Sequence, residues 1–265
     1  MHDDEPLLVR FPDPSGRSLS QVVAAAPAGA VIEVAPGRYP GPLVVERSIT
    51  LRGAGDLTCI YTDQGGSVVR VSAPDGRVVL ESLRLEGGAA ESGGALRIDS
   101  GRVRAHNLHL QHCRAGAGGA IHLAGGELDG TLVRIEDVSA ERGGAIWIQG
   151  RAALSLRDSQ VSGSEAGQGG AFLVEDAARV VLEGLTVRRA RALSPAGGQA
   201  LFIAGTQDAV PTLFLKRVRL EDVPFGQPLV VDGRFPAEVS LFECDMPRVV
   251  LEAPGVVDGG SNHWR

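Results

Sequence analysis

The 265-residue chain is predicted to fold as an all-β protein, a right-handed parallel β-helix of about 25 residues per coil with a short capping helix at its N-terminal end. Two observations carry that prediction. A Gly-Gly pair followed by Ala, or once by Gln-Ala, and then by an alternating strand recurs five times, as GGALRI, GGAIHL, GGAIWI, GGAFLV and GGQALFI. The first glycines stand at 93, 118, 143, 169 and 197, at intervals of 25, 25, 26 and 28. Each unit also holds three short stretches of period-two alternation, such as Val103/Ala105, Leu108/Leu110 and Ile121/Leu123. That alternation buries one side of a strand and exposes the other.

In chain order, residues 1–17 read as a lead-in and 18–265 as one continuous β-helix domain. SLSQVVAAAPAG starts that domain differently from the rest. Ser18 and Gln21 have capping-box spacing, Leu19, Val22, Val23 and Ala26 share one helical face, and Pro27 stops the run. A helix around 18–26 would plug the open end of the rod, where an uncovered core and sheet edge invite association. AVIEVAPGRY, PLVVERSITLRGAG and SVVRVSAPDG are weaker coils before the clear repeats, and TLFLKRVRLEDV, PLVVDGRF and AEVSLFECDM are weaker coils after them. Eight or nine coils stacked at about 4.8 Å make a rod of roughly 40 Å. At the corners glycine takes positive φ without penalty and lets stacked backbones approach, and the adjacent Ala suits a narrow turn. No second helix is expected near the C-terminus. There GGSNHWR closes the end with Trp264, or a partner covers it.

Net charge is −6 and no basic run occurs, so nucleic acid is not an expected partner. Lys216 is the sole lysine among 26 basic residues, which reads as the codon bias of a GC-rich genome. MHDDEPLLVRFPDP lacks the apolar segment of a signal peptide, and no stretch has membrane-spanning length. A cytoplasmic protein is expected, although a removed leader would look the same. Cys59, Cys113 and Cys244 fall in different coils and read as small buried hydrophobes.

The passage SLSQVVAAAPAGAVIEVAPGRYPGPLVVERSITLRGAG resembles the entry segment of pectin-lyase-like right-handed β-helix proteins. A capping helix there leads into a pattern matched by Gly29, Ile32, Val34, Gly37 and Tyr39, and a second pattern matches 45–53. The Gly-Gly-Ala coils resemble bacterial β-helix repeat proteins. The resemblance covers most of the chain and implies a fold, while the superfamily spans lyases, hydrolases, esterases, epimerases, adhesins and scaffolds. Neither the Asn-Thr-Asp, Asp-Asp, Gly-His-Gly and Arg-Ile-Lys series of polygalacturonases nor the acidic calcium cluster of pectate lyases is present in the sequence.

Stacking the strands that follow each Gly-Gly-Ala yields the candidate residues. Arg70, Arg97, Asp99 and His122 gather on neighbouring coils, where an Arg or His base beside a carboxylate would abstract a sugar proton or bind an acidic sugar. Asp99 and Glu175 lie three coils apart, about 14 Å, too far for a glycosidase pair. Further along, Trp147, Leu173, Phe202 and Val230 form an apolar ladder on the outward side. Exposed apolar surface marks an interface, an aromatic ladder also suits sugar rings, and the segment 190–197 is placed to fold over it. His106, His109 and His112 have metal-like spacing but point differently on a bending strand, so neither a metal nor another cofactor is expected. A stripe of Arg84, His109, Arg134, Gln160, Thr186 and Arg219 reads as a solvated face, with Glu136 and Glu221 pairing nearby arginines. The leading expectation is a non-catalytic module that binds a protein partner, or a second copy of itself, through the apolar ladder. The alternative is a carbohydrate-binding or carbohydrate-active protein whose partner is a polysaccharide.

Overall fold

The alternating stretches become short strands that pair in parallel with their equivalents one coil away. The computed structural model describes residues 6–194, 197–223, 227–232, 234, 236–246 and 256–264. They form a right-handed parallel β-helix of about nine turns. Sheet 1 contains the strands after each Gly-Gly-Ala: 96–98, Ile121–Leu123, Ile146–Ile148, Phe172–Glu175, Leu201–Ala204 and Leu229–Val231. Sheet 2 runs through 78–81, 102–106, 127–131, Ala153–Arg157, Arg179–Glu183, Thr212–Lys216 and Glu238–Phe242. Sheet 3 runs through 83–86, 108–111, 133–136 and its successors.

Inward positions of each sheet stack like on like. Leu96, Ile121, Ile146, Phe172, Leu201 and Leu229 form one buried column. Val78, Val103, Leu128, Leu154, Val180 and Leu213 form another. Each such side chain stabilises the fold by about 1.5–3 kcal/mol through burial. No helix among the described residues is long and apolar enough to cross a membrane.

A fourth paired segment, absent from the three-stretch sequence reading, joins sheet 3 to sheet 1. Ala89–Ser92, Arg114–Ala117 and 139–142 stack in parallel just before the Gly-Gly corners. Their small and polar side chains bury little, so backbone hydrogen bonding rather than packing defines them. The corner between sheets 2 and 3 is a single left-handed residue, which is Ser82, Asn107, Leu132, Asp158 or Gly184 in successive coils.

The helix forms at Leu19–Ala25 with the expected capping box. Ser18 Oγ accepts from the Gln21 amide at 3.3 Å, and Gln21 Oε1 accepts from the Ser18 amide at 2.9 Å. Leu19, Val22 and Val23 are buried against the first coils. Arg47 donates to the Ala26 carbonyl at the other end of the helix. Ser18→Ala is expected to cost about 1 kcal/mol, read as a lower urea midpoint. An unshifted midpoint would show that the capping box does not hold the plug. Within the lead-in, Leu8–Phe11 is itself a strand, paired with Ala30–Val34. At the far end His263–Trp264 pairs with Asp245–Met246, and the Trp264 side chain lies outside the described residues.

Candidate functional site

Sheet 1 brings the predicted residues into one outward column. Arg70, Arg97, His122, Trp147, Leu173, Phe202 and Val230 are successive register partners. At one end Asp99 Oδ2 accepts from Arg70 Nε at 2.6 Å and Asp99 Oδ1 from Arg97 Nε at 2.7 Å. Arg97 also reaches Ser92 Oγ at 3.0 Å. Burial alone would raise the Asp99 carboxyl, but hydrogen bonds from Arg97 and Arg70 outweigh it and hold the group below its ordinary value. Asp99 is therefore an ionised anchor and not a proton donor.

His122 sits next on the column, 3% exposed, with no hydrogen-bond partner at either ring nitrogen. Burial first, then the Arg97 charge, pushes the imidazole down to about 4, so it is neutral at pH 7. Its ring stacks on Trp147, with centroids 4.4 Å apart and planes 11° from parallel. Trp147 Nε1 donates to Glu175 Oε2 at 2.6 Å, Arg142 pairs with the other Glu175 oxygen, and the Arg142 guanidinium lies 4.9 Å from the indole centroid. Two charged clamps, Arg70–Asp99–Arg97 and Arg142–Glu175–Trp147, thus flank an aromatic stack. Arg70 and Arg142 are about half exposed and keep donors facing solvent. Sequence reasoning missed Arg142 and Ser92. Both occupy the position just before a Gly-Gly pair, and both reach the residue five places on, across the corner.

The ladder differs from expectation in its exposure. Leu173 is 0% and Phe202 8% exposed, while Trp147 and Val230 are half-buried. The Gly-Gly corners curl against the column and cover it. A Cβ added at Gly143 would lie 3.1 Å from Leu173 Cβ, and one at Gly93 3.0 Å from His122 Cβ. The Trp147 indole stacks on the His122 ring and lies against the Arg142 guanidinium, so it is not left as a flat platform for a ligand.

His109 and the charges around it settle into a structural role. His109 is held between Asp56 and Glu136, 2.9 Å from each, with Arg134 donating to Asp56 at 2.8 Å. Arg84 pairs with Glu86 and Arg219 with Glu221. Among the described residues, no group of three or more His, Cys, Asp or Glu side chains is placed to hold a metal ion. Burial pushes the Cys113 thiol up to about 11 and raises Cys59 and Cys244 as well, so all three behave as packed hydrophobes.

No protein-family model matches the chain, and no curated protein matches it. Solved structures do. The chain resembles the pectin methylesterase from carrot with 14% identity and a TM-score of 0.50, over 100% of this chain and 90% of that one. It resembles pectin methylesterase PemA from Erwinia chrysanthemi with 10% identity and a TM-score of 0.51, over 98% and 92%. At these identities the likeness is one of fold. The pectin-lyase-like β-helix expected from the entry segment is the fold the chain has. The leading functional expectation is corrected: the apolar ladder meant to bind a protein partner is largely covered, and the two solved proteins that share the fold along nearly the whole chain are pectin methylesterases, which favours the carbohydrate-active alternative over a non-catalytic scaffold.

Proposed function

We propose that the protein is carbohydrate-active and engages a polysaccharide along the outward face of sheet 1. The observation that carries this reading is the pair of charged clamps on that face. Guanidinium groups and carboxylates held in fixed geometry supply the dense, oriented donors and acceptors that a hydroxyl-rich ligand needs. Arg70 and Arg97 with Asp99 form one subsite, and Arg142 and Glu175 with the edge of Trp147 form the other. The whole-chain likeness to two proteins named for action on pectin supports the same reading. Asp99 is clamped ionised and His122 is buried neutral, so Asp99 orients the two arginines and neither group shuttles protons.

The test is a screen of neutral and acidic polysaccharides and their esters, read by chain shortening and by ester release. Arg70→Ala and Arg142→Ala should each lower the activity found by roughly tenfold, the loss expected for one charged hydrogen bond. Their unfolding midpoints should stay near wild type, because exposed ion pairs contribute only about 0–1 kcal/mol. Activity unchanged in both variants, or no activity on any polysaccharide, would overturn the assignment.

A further inference from the structure

Sheet 2 carries a groove of about 550 Å³ that uses none of the clamp residues of sheet 1. It runs along the coil axis over five coils, from Arg77 through Arg102 to Arg179, with Arg104 on its other wall and Val79 and Val181 lining it. At about 4.8 Å per coil its basic ends are roughly 19 Å apart. The two carboxylates between them are already neutralised: Glu127 faces Arg102 at 3.4 Å and Asp129 accepts from Arg157 at 2.8 Å. The guanidinium groups of Arg77, Arg104 and Arg179 make no ion pair or hydrogen bond among the described residues. Arg151, equally unpaired, lines an adjoining depression of about 310 Å³ together with Arg179. The arginines of sheet 3 show the contrast, since Arg84, Arg134, Arg188 and Arg219 each have a carboxylate partner.

We propose that this groove binds an acidic polysaccharide, laid along the coil axis. Its carboxylate or sulfate groups meet Arg77 and Arg104 at one end and Arg179 and Arg151 at the other. A compact anion cannot span both ends, whereas an extended chain can. Free guanidinium forks suit carboxylate and sulfate, and the apolar lining from Val79, Val181 and the arginine stems suits the C–H faces of sugar rings. No aromatic side chain lines the groove for bases to stack on, which disfavours a nucleic acid relative to an acidic sugar chain. The proposal rests on the carbohydrate-active reading but places a second site on a different sheet, where it would hold the chain while sheet 1 acts on it.

Affinity electrophoresis of the full chain through gels containing polygalacturonate, alginate or heparin tests this, with dextran as the neutral chain and a single-stranded oligonucleotide measured in parallel. Wild type should be retarded by at least one acidic chain and not by dextran, and added salt should weaken the effect. The Arg104→Glu, Arg179→Glu double variant should weaken that binding roughly tenfold or more, and charge reversal at exposed positions should leave the fold intact. The Arg188→Ala, Arg219→Ala double variant, which removes two exposed cations of sheet 3 from outside both sites, should bind as wild type. Four results would overturn the proposal: no retardation by any acidic chain, equal retardation by dextran, an unaffected groove variant, or tighter binding to the oligonucleotide. Groove binding without activity on any polysaccharide would sink the sheet 1 reading alone, and activity with no groove binding would sink this one alone.

Discussion

Replacing Gly119 with alanine is expected to destabilise the fold by on the order of 3–5 kcal/mol, among the larger effects open to a single methyl group. The added Cβ would stand 2.2 Å from the Gly144 carbonyl oxygen of the next coil and 2.7 Å from that of Ser139. Both obstacles are backbone, so no side-chain rotation relieves them. Gly118→Ala should cost a similar amount by a different route. Gly118 has φ +62, and its Cβ would lie 2.1 Å from the Ile121 carbonyl of its own corner. Gly66 separates the two contributions: it has φ +85 but nothing within 4 Å, so Gly66→Ala should cost only about 1 kcal/mol. Urea unfolding of the three variants checks the ranking. A Gly119→Ala midpoint no lower than that of Gly66→Ala would show that the coils can spread apart at the corner.

The same corners show how far the sequence could be read. The period-25 repeat and the period-two strands were legible because one small unit must bury its inner face against copies of itself. The fifth copy was legible only to within a residue. The left-handed glycine equivalent to Gly169 is Gly198, not Gly197, so the interval is 29 (198 − 169). Gln199 then takes the second glycine's place, with its Oε1 accepting from the Ala192 amide at 2.9 Å. Segments such as Ala89–Ser92 and Arg114–Ala117 were missed because no hydrophobic pattern marks a strand made by backbone pairing alone. Alternation also says which way Leu173 points but not what lies over it. The Gly-Gly sequence held that information, since a corner stripped of side chains leaves room for the chain to press on the next coil's ladder. Arg70, Arg97, Asp99 and His122 were brought together as expected, whereas Arg142 arrives from the unread fourth segment. Arg77, Arg104 and Arg179 gained meaning only once their lack of partners was visible.

His122 should make the protein acid-labile in a window set by one imidazole. The ordinary value is 6.5 and the folded value about 4, a difference worth about 3 kcal/mol. Between those limits the unfolded chain binds a proton that the folded chain refuses. Stability is therefore undiminished above about pH 6.5, falls as pH drops, and has lost the full amount near pH 4, where the folded state also protonates. The depressed carboxyl of Asp99 adds its own loss lower, through the carboxylate range. His122→Phe isolates the first effect. The ring still stacks on Trp147, in a ladder that already accommodates Phe202, and the variant buries no unpartnered nitrogen. At pH 7 it should be more stable than wild type by about 1–2 kcal/mol, because an unsatisfied polar group costs more than its apolar replacement. From pH 7 to pH 4.5 wild type should lose about 2–3 kcal/mol more than the variant, measured by urea unfolding with tryptophan fluorescence. Parallel losses in the two proteins would mean that the imidazole finds a partner or solvent in the folded state. A variant weaker than wild type at every pH would mean that the Gly93 corner leaves no room for the larger ring, and that packing rather than charge governs this position.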